Sequence, residues 1–362
     1  MNEIASSGSA SGNGVPVKLH VRESNGPVDE MIHDLMDRVG GIAEKDIIRE
    51  MIIVALKTGQ MKTDMAALKM MRTTMKEMRF TTKVFQPYRN ILKVTVFGSA
   101  RTKPGEPSYD TAVALGRALK DSGYMVITGG GPGIMQAVNE GAGAEHSFGV
   151  NIRLPFEQKS NPVVDGNRKS ITYKYFFNRK VAFLKESHAV VLFPGGFGTL
   201  DEAMETMTLV QTGKHVMVPL VLVDPPGHDY WERWLDFLRA ELMENGYVSP
   251  EDFHLFTRAT SVEEAVAHID RFYHRYHSLR YVDDKLVLRL SSPPSEALFA
   301  RLRSEYADIL IPGGEMQIYS EALPEEASEA EIARLPRLVL DFNRSDFGRL
   351  RLLIDDLNAG ED

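Results

Sequence analysis

Not one of the 362 residues is a cysteine. That excludes disulfides, thiolate metal sites, redox pairs and thiol nucleophiles together, and it fits a reducing cytoplasm, the compartment expected here. Positive charge is also short. With 42 Lys and Arg against 50 Asp and Glu the net charge is −8. General binding of nucleic-acid polymers rests on clustered cations meeting phosphates, so no such polymer is expected as a partner. A small anion stays possible, because backbone amides at a helix start hold one without any net positive charge. No apolar run approaches the roughly 18–20 residues that a membrane-spanning helix needs, so no membrane partner is expected either. The first dozen residues, rich in Ser, Gly and Asn, have neither the basic start nor the apolar stretch of a secretory signal. Residues 1–26 read as a disordered tail.

What is present is ordinary globular composition, 43% apolar and 25% charged, at a length that suits two or three cores rather than one. Residues 27–90 read as a helical extension, opened by Pro27 and free of further proline until Pro87. Within it Met61, Met65, Leu68, Met71, Met75 and Met78 recur at spacings of three or four, one face of a helix. That stripe is expected to pack on the next domain or a twin subunit; the rival reading is a peptide groove. Lys62, Lys69, Arg72, Lys76 and Arg79 between them read as a solvated face rather than an RNA site.

From Ile91 short apolar strands alternate with helices. Strands are expected at Lys93–Phe97, Met125–Thr128, Phe148–Ile152, Ala189–Phe193 and Val216–Val223, with a further extended piece at Ile171–Phe176. Near-continuous apolar strands indicate a parallel sheet covered on both faces, so residues 91–278 read as a doubly wound, Rossmann-like α/β domain. Residues 279–362 read as a small α+β domain, expected to be regulatory in role, with strand Lys285–Leu290, helix Pro294–Tyr306, strands Met316–Ser320 and Arg337–Phe342, and helix Asp346–Leu357. Its acidic stretch Pro324–Ala333 is expected to be a mobile loop, and Pro312-Gly-Gly314 a simple turn.

Ligands of doubly wound sheets sit beyond the carboxyl ends of the strands, and glycine loops at 98, 129–133 and 195–198 all fall there. Neither standard phosphate signature occurs. Gln136 and Asp201 stand where the dinucleotide fingerprint wants its last glycine, and the P-loop pattern is absent. Yet a strand, a glycine turn and a helix start bring free amides and the positive end of the helix dipole to one point, twice over. At Pro194–Thr199 the threonine hydroxyl adds a donor, and Glu202 and Glu205 follow one turn apart. Asn178-Arg179-Lys180 supplies guanidinium and ammonium groups just upstream. A cation, a phosphate loop and a carboxylate form a minimal kit for cleaving a nucleotide's glycosidic bond, the carboxylate steadying an oxocarbenium-like sugar and orienting water.

Pro194-Gly-Gly-Phe-Gly-Thr-Leu-Asp-Glu202 matches P-G-G-x-G-T-x-x-E in full. Together with Gly129-Gly-Gly-Pro-Gly-Ile-Met135 and Arg179-Lys180, it resembles the LOG (Lonely Guy) family, long labelled lysine decarboxylase, over about residues 91–275. The flanking Phe176–Phe183 stretch is closer to the longer bacterial members. The resemblance implies a phosphoribohydrolase that splits nucleoside 5′-monophosphates, AMP above all, into free base and ribose 5-phosphate, with no cofactor and no metal. It implies that Arg179 and Glu202 are catalytic. It also implies that Gly195, Gly196, Gly198 and Thr199 hold the 5′-phosphate, while Ser99, Gly130, Gly131, Gly133 and Met135 line the nucleotide cleft beside Lys180 and Glu205. A homodimer or higher homo-oligomer, with the cleft near the subunit boundary, is implied as well. The family has Met-His before Arg-Lys where Phe177-Asn178 stand here, a departure that bears on base recognition more than on catalysis.

Two other classes compete. A non-catalytic binder of a phosphorylated ligand, like molybdenum-cofactor carriers, would not need both Arg179 and Glu202. A pyridoxal-dependent decarboxylase needs a lysine imine, and nothing around Lys180 or Lys214 nominates either. His274 and His277 lack the accompanying carboxylates that a metal site wants.

Overall fold

The structure, a computed structural model, describes residues 17–61, 63–155, 159–326 and 332–360. The chain divides into two compact units, residues 1–76 and 77–362. In the first, Pro27 occupies the first position of α1 (Pro27–Val39), where its fixed φ suits a helix start and its missing N–H leaves nothing unpaired. Gly40 and Gly41, with φ of +69° and +65°, end that helix before α2 (Lys45–Gln60). A second break follows, and the Asp64 carboxylate accepts from the Ala67 amide at 2.9 Å as α3 (Met65–Phe85) begins. The helical stretch expected over 27–90 is therefore three helices. Residues 17–26, read as tail, are tied down: the Arg49 guanidinium donates to the Val21 and Glu23 carbonyls and pairs with Asp29 at 2.8 Å. Residues 1–16 of that tail, and Lys62, lie outside the described residues. Of the methionine stripe, Met61, Met65, Met71 and Met75 are exposed, while Met78 packs against the cluster holding Phe85 and Phe148.

The second unit carries the expected doubly wound sheet. Its elements run β1 (Lys93–Phe97), α4 (Pro107–Asp121), β2 (Met125–Thr128), α5 (Ile134–Ala142), β3 (Ser147–Ile152), β4 (Ser170–Tyr173) and α6 (Phe176–Glu186). They continue with β5 (Ala189–Leu192), α7 (Phe197–Gln211), β6 (Leu220–Val223), α8 (Tyr230–Leu238), β7 (Thr257–Ala259) and α9 (Val262–Phe272). Among the described residues these strands form one seven-stranded sheet, all parallel, in the order β4-β3-β2-β1-β5-β6-β7. Both faces are covered. Val94, Val96, Val126 and Val191 pack in a cluster with α4, α5 and α9, whereas Phe97, Ile127, Val190 and Leu192 pack in another with α6, α7 and α8. The strand order reverses between β1 and β5, and a crevice opens there beyond the strand ends.

The rest is an antiparallel sheet of β8 (Tyr276–Val282), β9 (Lys285–Leu290), β10 (Met316–Tyr319) and β11 (Arg337–Leu340), ordered β10-β11-β9-β8, with α10 (Glu296–Glu305) and α11 (Phe347–Ala359). Its core cluster also takes in Val210 and Met217 beside α7, and Leu255 and Phe272. Pro312–Gly314 is a turn, with Gly313 at φ +75°, and β10 follows it as expected. Among the described residues no helix is long and apolar enough to cross a membrane.

Several expectations need correction. The fifth strand starts at Leu220, after Pro219, not at Val216. Strand β7 went unforeseen because three edge residues, Thr-Arg-Ala, show no period. Strand β8 was missed because its alternating, half-exposed residues straddle the point where the two domains were expected to meet. The stretch Pro324–Ala333 is not simply a mobile loop: Pro324–Glu326 is a short 3₁₀ turn that delivers a fully buried carboxylate between two strands. Residues 327–331 of it lie outside the described residues. Arg289 and Arg337 face each other across β9 and β11, and Glu326 bonds both, at 2.6–3.0 Å. Burial opposes its charge, but the two guanidiniums outweigh that and hold the carboxyl below its usual range. Removing one member of such a cluster strands the others, so Glu326→Ala is expected to cost about 3–5 kcal/mol. An unshifted urea midpoint would contradict this.

Candidate active site

Three glycine loops meet at the switch point, held together by backbone hydrogen bonds. The Ser99 amide donates to the Pro194 carbonyl at 3.1 Å, and the Ile134 amide to the Ser99 carbonyl at 3.0 Å. Gly133, at φ +70°, lies so close beneath the first loop that a Cβ there would stand 2.3 Å from the Ser99 oxygen. No other residue fits that position.

The resulting cavity, about 820 Å³, is lined by Ser99, Ala100 and Arg101 after β1 and by Gly129, Gly131 and Met135 after β2. Asn151, Ile152 and Leu154 come from the end of β3, Phe176 and Arg179 from α6, and Gly195 to Glu202 from the turn into α7. Gly196 caps α7; the Thr199 amide turns back to the Gly196 carbonyl at 3.0 Å, while the amides of Phe197 and Gly198 have no carbonyl one turn back to bind. A Cβ on Gly196 or Gly198 would meet nothing within 4 Å, so open space borders the backbone there. Gly195 is packed: its Cβ would fall 2.1 Å from Thr199 Oγ1, and its carbonyl accepts from the Tyr230 hydroxyl at 2.8 Å. The turn thus presents amides and the start of a helix dipole to the cavity, with Thr199 buried beside them.

Glu202, only 6% exposed, lies one turn into α7. Burial pushes its carboxyl up to about 7; Lys180 and Arg179 pull against that, and Glu205 and Asp201 add to it. Arg179 is half-buried. Its Nε donates to the Val150 carbonyl at 2.9 Å and its guanidinium lies 5.0 Å from the Phe183 ring centre. Desolvation lowers its pKa, with Glu202 the main group pulling it back up. Gly129 makes room for it, since a Cβ there would sit 2.4 Å from Arg179 Nη2 and 2.7 Å from Met135 Sδ.

Not every residue singled out from the sequence lines this cavity. Gly130 lies under its floor, donating to Thr128 Oγ1 and accepting from the Asn161 amide, with Asn151 where its Cβ would be. Gly133 spaces the loops. Lys180 turns to a groove behind α7, pairing with Asp201 at 2.9 Å, Glu205 at 2.5 Å and Glu202 at 3.7 Å. Burial disfavours its charge, but Glu205 and Asp201 outweigh this and raise its pKa. Asn178, at the family's histidine position, also turns elsewhere and donates to Glu77 at 2.7 Å. Phe177 stacks on Tyr175. Unforeseen members are Arg101, Asn151, Ile152, Leu154, Phe176 and Phe197, the last 93% exposed at the tip of the turn. Arg101 had a signal, two residues past Ser99 in the first loop; the β3 residues had none without the sheet order.

Residues 135–269 match the family described as "Possible lysine decarboxylase". Over 173 residues the chain is 28% identical to the cytokinin riboside 5′-monophosphate phosphoribohydrolase LOG1 of Arabidopsis thaliana, covering 47% of this chain and 78% of that protein. It is also 28% identical over 195 residues to the enzyme of the same description, LOG, of Oryza sativa subsp. japonica, covering 52% and 76%. This part of the chain is similar to the LOG phosphoribohydrolases. A solved structure of the molybdenum cofactor binding protein from Rippkaea orientalis is similar at 21% identity and a TM-score of 0.36, covering 50% of this chain and 94% of that one. Gly195 to Glu202, within the P-G-G-x-G-T-x-x-E motif, form one wall of the cavity, and the helical extension, β1, β2 and the whole antiparallel sheet lie outside residues 135–269.

Proposed function

We propose that this protein hydrolyses the N-glycosidic bond of nucleoside 5′-monophosphates, AMP first among them, to free base and ribose 5-phosphate. The observation that carries this reading is the pairing of a buried carboxylate, Glu202, with a half-buried guanidinium, Arg179, in one cavity with a glycine turn at a helix start. A cavity of about 820 Å³ is in the range of small-ligand sites. With the 5′-phosphate on the amides of Gly196 to Gly198 and the Thr199 hydroxyl, the sugar lies toward Glu202 and the base toward Ile152, Leu154 and Phe176, where the larger purine covers more apolar surface.

In the reaction the C1′–N bond breaks and its electron pair leaves with the base. Ionised Glu202 stabilises the positive charge that grows on the sugar and orients a water, whose oxygen bonds to C1′. One proton of that water ends on the departing base. Arg179, in the same cavity as Glu202, eases departure of the base. No cofactor takes part. The protein acts in the cytoplasm as a homodimer or higher homo-oligomer, and the exposed Phe176 and Phe197 lining the cavity, with the exposed Phe177 and Val181 of α6, are the surface that pairing would cover.

Incubation of the pure protein with AMP, GMP, CMP, UMP and a cytokinin riboside monophosphate, with free base measured, tests the reading. Base release from at least one supports it. No release from any overturns it, and tight nucleotide binding without turnover would point to a carrier instead.

A further inference from the structure

We propose that Arg101 is the cation that meets the substrate's 5′-phosphate, so that it, rather than Lys180, makes the site select nucleotides over nucleosides. This rests on the hydrolase reading and deepens it. Among the described residues, the charged ones lining the cavity are Arg101, Arg179, Asp201 and Glu202. Lys180, the cation that sequence pattern puts at the site, is consumed by Asp201, Glu202 and Glu205 behind α7. Arg179 is engaged with the Val150 carbonyl, the Phe183 ring and the field of Glu202. Two cations, Lys180 and Arg179, thus face three carboxylates, and the phosphate turn from Pro194 to Thr199 has no charged side chain of its own. A phosphate monoester brings about −1.5 to −2 more charge at neutral pH. The dipole at the start of α7 offsets only about half a unit of it.

Arg101 is placed to supply the remainder. Its guanidinium makes no hydrogen bond, ion pair or ring contact among the described residues, and it is exposed where it lines the cavity. Its own amide donates to Ser99 Oγ at 3.1 Å, and the Ser99 amide is bonded to Pro194, so the backbone that carries this side chain is held beside the phosphate turn. An exposed cation with no partner among the described residues, its backbone anchored next to an amide cradle, is arranged for an anionic ligand that comes from outside.

Titration of ribose 5-phosphate into the full-length protein, followed by calorimetry, tests the assignment without needing turnover. Arg101→Ala is expected to weaken binding about 10- to 100-fold, the range of one charge-assisted hydrogen bond to a charged group, and Arg101→Lys to restore much of it. In turnover the same factor is expected in KM for the monophosphate, with kcat within about threefold and no change for the free nucleoside. Thermal midpoints stay level, because no protein contact is lost. Ribose 5-phosphate affinity within twofold of wild type in Arg101→Ala, or no ribose 5-phosphate binding by the wild type, overturns the proposal. If wild type binds ribose 5-phosphate through Arg101 but releases no base, the assignment of the anion site stands and the hydrolase reading falls.

Discussion

Glu202→Gln is expected to lower base release by about 10²- to 10⁴-fold while making the protein more stable at pH 8. Both effects come from one fact, a carboxyl that is 6% exposed and titrates at about 7 instead of its ordinary 4.5. As pH rises, the unfolded chain gives up this proton first, so ionisation between those two values works against the fold. At about 1.36 kcal/mol per unit the penalty is on the order of 3 kcal/mol above pH 7 and vanishes below pH 4.5. Glutamine keeps the shape and removes the charge, and Lys180 keeps Asp201 and Glu205. Urea unfolding is therefore expected to show the variant more stable by up to that amount at pH 8 and equal to wild type at pH 4. Since the ionised form steadies the sugar cation, wild-type turnover should climb with pH and level off above about 7. Turnover unchanged in the variant would remove Glu202 from the mechanism, whatever the stability.

Arg179→Ala is expected to reduce kcat by about 10²- to 10³-fold. It also has a signature that a merely structural change lacks. Arg179 is one of the two cations that pull the Glu202 carboxyl down against its burial. Without it, the residual activity should need a higher pH, and the midpoint of the pH–rate profile should move upward from about 7. A profile that keeps its midpoint would mean that the two groups do not act on each other across the cavity. Loss of stability without loss of kcat would reduce Arg179 to a packing role on Phe183 and the Val150 carbonyl.

The features legible in the sequence were those whose information is local. A strand, a glycine turn and a helix start are consecutive in the chain, so the meeting of the 129–133 and 195–198 glycine loops in one crevice followed from the α/β pattern, while Met135 was named through the family resemblance. Side-chain direction around a helix was harder. Arg179 and Lys180 are neighbours, about 100° apart on a helix, so both cannot face one cavity, and the structure sends the lysine behind α7. Glu205 is one turn from Glu202, but the residual rotation of about 60° is enough to place it in the outer groove. Gly130 and Gly133 were correctly read as loop glycines, and their positive φ and crowded surroundings are reason enough for glycine there. Asn151, Ile152 and Leu154 enter the cavity because β3 lies two strands from β1, a placement that no short stretch of sequence encodes. In the antiparallel unit, Glu326 sat in an acidic stretch that composition alone assigns to solvent. Its burial depends on two arginines that meet only when β9 and β11 pair.

The most direct measurement is a paired assay of free base and ribose 5-phosphate released from AMP and the other nucleoside monophosphates by wild type and by Glu202→Gln. Equimolar products from wild type, with release from the variant reduced about 10²-fold or more, is the predicted result. Absence of both products from wild type, or equal release by the two proteins, would contradict the account.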